Sequence, residues 1–231
     1  MKHQADYKIK KYITWLVIML LAGFFLYGCA VRADDFHEDE GYDSPEVLIN
    51  IYEKGKVKED SHGSGFFISP THLITAAHVV MDKKSDGLIQ VFTRGGVSQY
   101  ATVLWISKDR DVALLQVAKQ ISTPAPVNCS IPKFGQEVQA EGYPYELGYA
   151  RTSGKVIGSE RTVKAGRVTW EYGMLFDAIV GPGMSGGPVW ANGQVVGIVV
   201  GMRNAGQGAP SGFAIFTASH SFCDLLAWET N

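Results

Sequence analysis

The sequence predicts an all-β fold, arranged as two small barrels rather than one sheet. Three observations lead there. After residue 45, short apolar or alternating runs rich in Thr, Val, Ile, Tyr and Phe recur between turn residues, the pattern of half-buried strands. The 26 glycines are spread along the chain, which suits many tight turns. The ~185 residues that carry this pattern are many for a single twisted sheet and divide naturally into two barrels.

The first element is of another kind. Lys2, Lys8, Lys10 and Lys11 precede 19 residues without a charge, Ile13 to Val31. As a helix that length approaches the ~30 Å hydrocarbon core of a bilayer. Lysines before it and Asp34, Asp35, Glu38, Asp39 and Glu40 after it orient the N-terminus toward the cytoplasm. Leu26-Tyr27-Gly28-Cys29 resembles a bacterial lipobox, with Tyr27 standing where that pattern has a smaller residue. Residues 1–31 are therefore either an uncleaved signal anchor or a lipoprotein signal with Cys29 carrying the lipid. Both place the rest of the chain at a membrane, facing the periplasm or cell exterior of a bacterial envelope.

Residues 32–45 read as an acidic linker ending in Ser44-Pro45, and 46–231 as the globular domain. The expected strands are Val47–Tyr52, Gly65–Ile68, His72–Ile74, Gly87–Phe92, Gln99–Ser107, Val112–Val117, Glu137–Glu141, Thr152–Ser159, Val168–Tyr172, Leu175–Asp177, Pro188–Trp190, Gln194–Val200 and Gly212–Phe216. Two short helices are expected. Ala76–Met81 follows Thr75 as an N-cap, and Ser219–Trp228 has apolar spacing near the helical repeat.

From Glu46 onward 16 Lys/Arg balance 16 Asp/Glu. A neutral domain has no electrostatic footprint for nucleic acid. The six histidines are scattered and no Cys/His cluster has metal-ligand spacing, so no metal is expected. Cys129 and Cys223 can pair in an oxidising compartment or stand as two lone buried thiols. Two lone thiols are the expectation, because spacing alone does not establish disulfide geometry.

The chemistry concentrates in three places. Ser185 sits in Gly181-Pro182-Gly183-Met184-Ser185-Gly186-Gly187-Pro188. A serine hydroxyl needs a base to take its proton and a third group to fix that base's tautomer. His78, in Thr75-Ala76-Ala77-His78-Val79-Val80, ends an apolar strand among small residues. Asp111, in Asp111-Val112-Ala113-Leu114-Leu115, opens a buried strand, where a carboxylate needs hydrogen-bond partners. Each alone has a plain structural reading: a turn serine, a packed histidine, a strand-start cap. The glycine turn around Ser185 can also aim the amides of Gly183 and Ser185 at one point.

Together, "TAAHVV", "DVALLQV" and "GMSGGP" resemble the chymotrypsin/trypsin-like serine peptidases. The order His, Asp, Ser is that family's and not that of subtilisin or the α/β-hydrolases. Separations of 33 and 74 residues between the three are similar to the protease domain of the bacterial HtrA/Deg-type branch. "GSGFFIS", "GYPYELGYARTSGKVIG", "DAIVGPGMSGGPVW", "GQVVGIVV" and "SGFAI" extend the resemblance over roughly four-fifths of the chain. It implies two six-stranded antiparallel barrels with a cleft between them, and a cofactor-free endopeptidase acting on polypeptides. In it Ser185 is nucleophile, His78 general base, Asp111 the orienting acid, and the Gly183 and Ser185 amides the oxyanion hole.

The resemblance also assigns a specificity pocket to Ile179, Val180, Val200, Gly201 and Met202. None is acidic, so a small-to-medium apolar residue is expected before the scissile bond. Two departures stand out. The family's PDZ domain is not expected, since the sequence ends 16 residues beyond Ile215. Met184 replaces the usual Asn or Asp before the nucleophile and removes the acid a zymogen switch requires. The alternative reading is a protease-like binding or chaperone module with little turnover, and a third is esterase-type acyl transfer by the same residues.

Overall fold

A computed structural model of the chain describes residues 44–53, 61–81, 87–165, 168–204 and 210–226. The expected leader with Cys29, and the linker as far as residue 43, lie outside these residues. Among the described residues no helix is long and apolar enough to cross a membrane.

The described residues form two six-stranded antiparallel sheets. The first holds β1 (Glu46–Tyr52), β2 (Ser61–Phe67), β3 (His72–Thr75), β4 (Leu88–Thr93), β5 (Ser98–Ser107) and β6 (Val112–Val117). Its order is β1-β2-β3-β6-β5-β4, and pairing of β1 with β4 from Val47↔Thr93 to Tyr52↔Leu88 closes it. The second holds β7 (Glu137–Gly142), β8 (Ala150–Ala165), β9 (Val168–Phe176), β10 (Pro188–Ala191), β11 (Gln194–Asn204) and β12 (Pro210–Ala218). Its order is β7-β8-β9-β12-β11-β10, and it closes between β10 and β7 through the pairs Val189↔Ala140 and Trp190↔Gln139.

Alternation places Val47, Ile49 and Ile51 of β1 on one buried face. In β3 and β6 the consecutive residues Leu73 and Ile74, and Leu114 and Leu115, are buried too, so these strands are covered on both faces. The second core gathers Val138, Val156, Met174, Val189 and Phe216, and Phe176 meets Phe216 edge to face at 5.4 Å. Each such side chain contributes roughly 1.5–3 kcal/mol by leaving water.

Thirteen expected strands become twelve. Val168–Tyr172 and Leu175–Asp177 are one strand, because Gly173 between them stays paired with both Arg161 and Thr217. The helix α1 spans Ala77–Met81, but Thr75 does not cap it. The Thr75 hydroxyl donates to the Ser64 carbonyl at 2.7 Å, and the cap comes from Asp111. The second expected helix is broken. A 3₁₀ turn at Ser219–Ser221 precedes α2 (Cys223–Leu226), with the Phe222 amide closing the turn on Ser219 O at 3.0 Å. Residues 227–231 lie outside the described residues.

The expectation of two lone buried thiols is overturned. Cys129 and Cys223 form a disulfide with their Cα atoms 5.9 Å apart. Cys129 is exposed on the segment joining the barrels. That segment is pinned to β11 through Asn128 N to Val195 O and Val195 N to Pro126 O, both 2.8 Å. The Ser219 hydroxyl donates to the Asn128 carbonyl, which draws the C-terminal turn against it. The pairing depends on this folding-back over 94 residues, which spacing does not encode.

Candidate active site

His78 is the second residue of α1 and its side chain is 43% exposed. The start of a helix leaves amides without intrahelical partners. Here Asp111 supplies the partners from 33 residues downstream: its carbonyl accepts Ala77 N at 3.0 Å and its Oδ1 accepts His78 N at 2.8 Å. The other carboxylate oxygen, Oδ2, accepts His78 Nδ1–H at 2.7 Å. A carboxylate only accepts, so Nδ1 carries a proton, which leaves Nε2 as the ring nitrogen able to accept one.

Asp111 is 6% exposed and adopts φ +54°, a left-handed conformation uncommon outside glycine. Trp170 Nε1–H donates to Oδ2 at 3.0 Å. Burial works to raise the carboxyl's pKa. The hydrogen bond and charge of His78, then the Trp170 bond, outweigh it and hold the carboxyl below its ordinary value.

Ser185 lies on the turn between β9 and β10. Gly183 at φ +96° and Gly186 at φ +85° give this turn its shape. A Cβ on Gly186 would stand 2.3 Å from both Ser64 O and Thr75 Oγ1, so the loop rests on the end of β3, directly ahead of α1. Ser64 clamps it from the first barrel: its amide donates to Ser185 O at 2.8 Å and its hydroxyl to Gly183 O at 2.7 Å. Tyr145 N donates to Pro182 O at 2.8 Å, which turns the Gly183 amide the opposite way. The Met184, Gly186 and Gly187 amides donate to Gly181 O, Val199 O and Met184 O. The Gly183 and Ser185 amides are not among the donors to backbone carbonyls in the described residues. Nor does a hydrogen bond join Ser185 Oγ to His78 among these residues. The structure joins His78 to Asp111 and sets the serine loop beside them.

The trypsin-like peptidase domain family matches residues 63–198, which takes in all three of these residues. The chain belongs to the trypsin-like peptidase family. A probable periplasmic serine endoprotease DegP-like of Chlamydia pneumoniae is 31% identical over 71% of this chain and 33% of its own length. The mitochondrial serine protease HTRA2 of Bos taurus is 33% identical over 66% of this chain and 34% of its own. The chain thus spans about a third of the length of these curated relatives. In fold it is similar to the active form of the Rv3671c protease from M. tuberculosis, with TM-score 0.67, 24% identity and 82% of each chain covered. The serine endoprotease from Yersinia pestis aligns with TM-score 0.64 and 23% identity, over 80% of this chain and 63% of that one.

Within this peptidase domain the five expected pocket residues separate. Val180 and Val200 are 6% and 2% exposed and pack in the cores. Ile179 is 72% exposed. Gly201 and Met202 are half-buried, Gly201 beneath the Trp170 ring. Met184 is buried in the second core, so an apolar anchor stands at the position before Ser185.

Three features escaped the sequence reading. Trp170 and Ser64 reach across from one barrel to the other, and no local pattern announces that. The third is an acid pair, Glu46 and Glu141, each 2% exposed. Arg151 Nε donates to Glu141 Oε1 at 2.5 Å, and Trp190 Nε1 to Oε2 at 2.9 Å. Burial, then the hydrogen bond to Glu141 and its charge, push the Glu46 carboxyl up to about 8. Glu141 stays below its ordinary value: burial opposes this, but the Glu46 hydrogen bond and the Arg151 charge prevail. Glu46 therefore holds the shared proton and Glu141 the charge. The signal available in sequence was a Glu at the edge of each of two strand patterns, just before Val47–Tyr52 and at the end of Glu137–Glu141.

Proposed function

We propose that the chain is a membrane-tethered serine endopeptidase facing the periplasm or cell exterior, cleaving exposed or unfolded polypeptide segments. Residues 1–31 serve as anchor or lipoprotein signal, 32–45 as linker and 46–231 as the peptidase domain. The observation that carries the reading is the buried Asp111, which grips both the start of α1 and His78 Nδ1. It does so next to a glycine turn with two amides uncommitted to backbone carbonyls among the described residues. Ser185 Oγ attacks the peptide carbonyl as His78 Nε2 takes its proton. The oxyanion forms against the Gly183 and Ser185 amides, and Asp111 stabilises the imidazolium. His78 then protonates the leaving amine, and water repeats the steps to release the acyl group.

Relatives named periplasmic endoproteases support the compartment, as does the disulfide, which persists where thiols are oxidised. Exposed Ile179 and half-buried Met202 favour a small-to-medium apolar residue before the scissile bond.

A fluorophosphonate probe with casein hydrolysis tests the proposal. The wild type is expected to label and cleave, and Ser185→Ala to do neither. Labelling and cleavage that survive Ser185→Ala would remove the nucleophile from this account. A silent wild type would leave the protein-binding module instead.

A further inference from the structure

We propose that Trp170 is the positioning residue through which the second barrel holds Asp111 in the working orientation. The inference rests on the peptidase reading above. Three donors converge on the Asp111 carboxylate. Two belong to His78, the residue being oriented, and the third is the indole N–H of Trp170, at 3.0 Å from Oδ2. The Trp170 bond is independent of the ring that Asp111 must steer. It comes from β9, in the other sheet.

The indole is itself fixed. Trp170 is 6% exposed, and its Cζ2 lies 2.9 Å from where a Cβ on Gly201 would stand. A side chain at Gly201 would displace the ring. The strand around it follows the turn that carries Asp111. Glu171 N reaches Asp109 O at 3.4 Å, and Thr217 Oγ1 donates to Arg110 O at 2.9 Å. The Arg110 guanidinium lies 5.6 Å from the Tyr172 ring centre. Three consecutive residues of the turn are thus read by β9 and β12. Asp111 needs such support, because its φ of +54° is held by surroundings and not by intrinsic preference.

Without the indole N–H, Oδ2 keeps His78 Nδ1–H as its remaining donor in a buried site. The carboxylate is then less firmly oriented and takes up a proton more readily. The ionisable neighbours are His78 on α1, Asp109 and Arg110 on the same turn, and Glu171 and Tyr172 on β9. Arg110 is also paired with Asp224 at 3.3 Å.

The test compares the full-length wild type with three forms: Trp170→Phe, 3-benzothienylalanine at 170, and 5-fluorotryptophan at 170. Benzothienylalanine keeps the shape of tryptophan but carries sulfur in place of the N–H, and fluorotryptophan retains it. A hydrogen bond to a charged group sets the scale at roughly a 10- to 100-fold loss. The benzothienyl form is expected to lose about that much kcat with KM nearly unchanged, its acidic limb of kcat/KM moving to higher pH. In proton NMR the His78 Nδ1–H resonance should broaden through faster exchange. The fluorotryptophan form should match the wild type. A benzothienyl form with wild-type kcat, pH profile and Nδ1–H signal would overturn the proposal, whatever Trp170→Phe does to folding. The NMR comparison decides on Trp170 even if the wild type proves not to be a peptidase, a failure that the fluorophosphonate probe registers separately.

Discussion

Replacing Glu46 by glutamine should stabilise the protein in alkaline solution and leave it nearly unchanged in acid. In the folded chain the Glu46 carboxyl titrates near 8, against an ordinary value of 4.5. Below 4.5 both folded and unfolded chains hold the proton. Between 4.5 and 8 the folded chain alone keeps it, so stability falls as pH rises, and above 8 the whole contribution is gone. A gap of about three and a half pH units at ~1.36 kcal/mol each amounts to roughly 4–5 kcal/mol. The introduced side-chain amide can donate to Glu141 as the protonated carboxyl does, and it does not ionise. For a domain of this size ~1 kcal/mol is about 2–4 °C, so Glu46→Gln should melt roughly 10 °C above the wild type at pH 9. At pH 4 the two should agree within a few degrees. Thermal unfolding by circular dichroism from pH 4 to 9 reads the difference between the two proteins, which cancels the titration of groups that do not touch Glu46. Parallel curves across that range would refute the buried shared proton.

Three other outcomes are expected. Asp111→Asn offers His78 Nδ1 a donor in place of an acceptor and favours the wrong tautomer, so kcat should fall by about 10⁴-fold with folding retained; activity within tenfold of wild type would contradict the assigned role. Cys129→Ser with Cys223→Ser opens a loop closed across 94 residues, for which chain entropy gives up to ~4.7 kcal/mol; this variant should melt about 10 °C below oxidised wild type, and two or more free thiols among the three cysteines of the native oxidised protein would rule the bond out. Gly186→Ala places a methyl 2.3 Å from Ser64 O and Thr75 Oγ1 at φ +85°, so fluorophosphonate labelling should drop by at least 10²-fold, and unimpaired labelling would mean that the loop does not rest on β3.

Sequence alone determined where the strands run, apart from the break it placed within Val168–Phe176. Alternation in Val47–Tyr52, or the continuous apolar run of Val112–Leu115, is a local property, set by which faces of a strand meet the core, and it can be read along the chain. The run around Ser185 was legible for the same reason, since glycine at 183 and 186 is demanded by local backbone angles. Tertiary structure decided what the side chains touch. The cap of α1 is Asp111 and not Thr75, because a buried carboxylate at the start of β6 reaches the helix amides while the Thr75 hydroxyl is committed to Ser64. Cys129 meets Cys223 because the joining segment and the C-terminal turn fold onto one another. Glu46 meets Glu141, and Trp170 meets Asp111, across the contact between two separately patterned sheets. Periodicity reports which way a side chain points, but the partner it finds there depends on packing between distant segments, which no local pattern records.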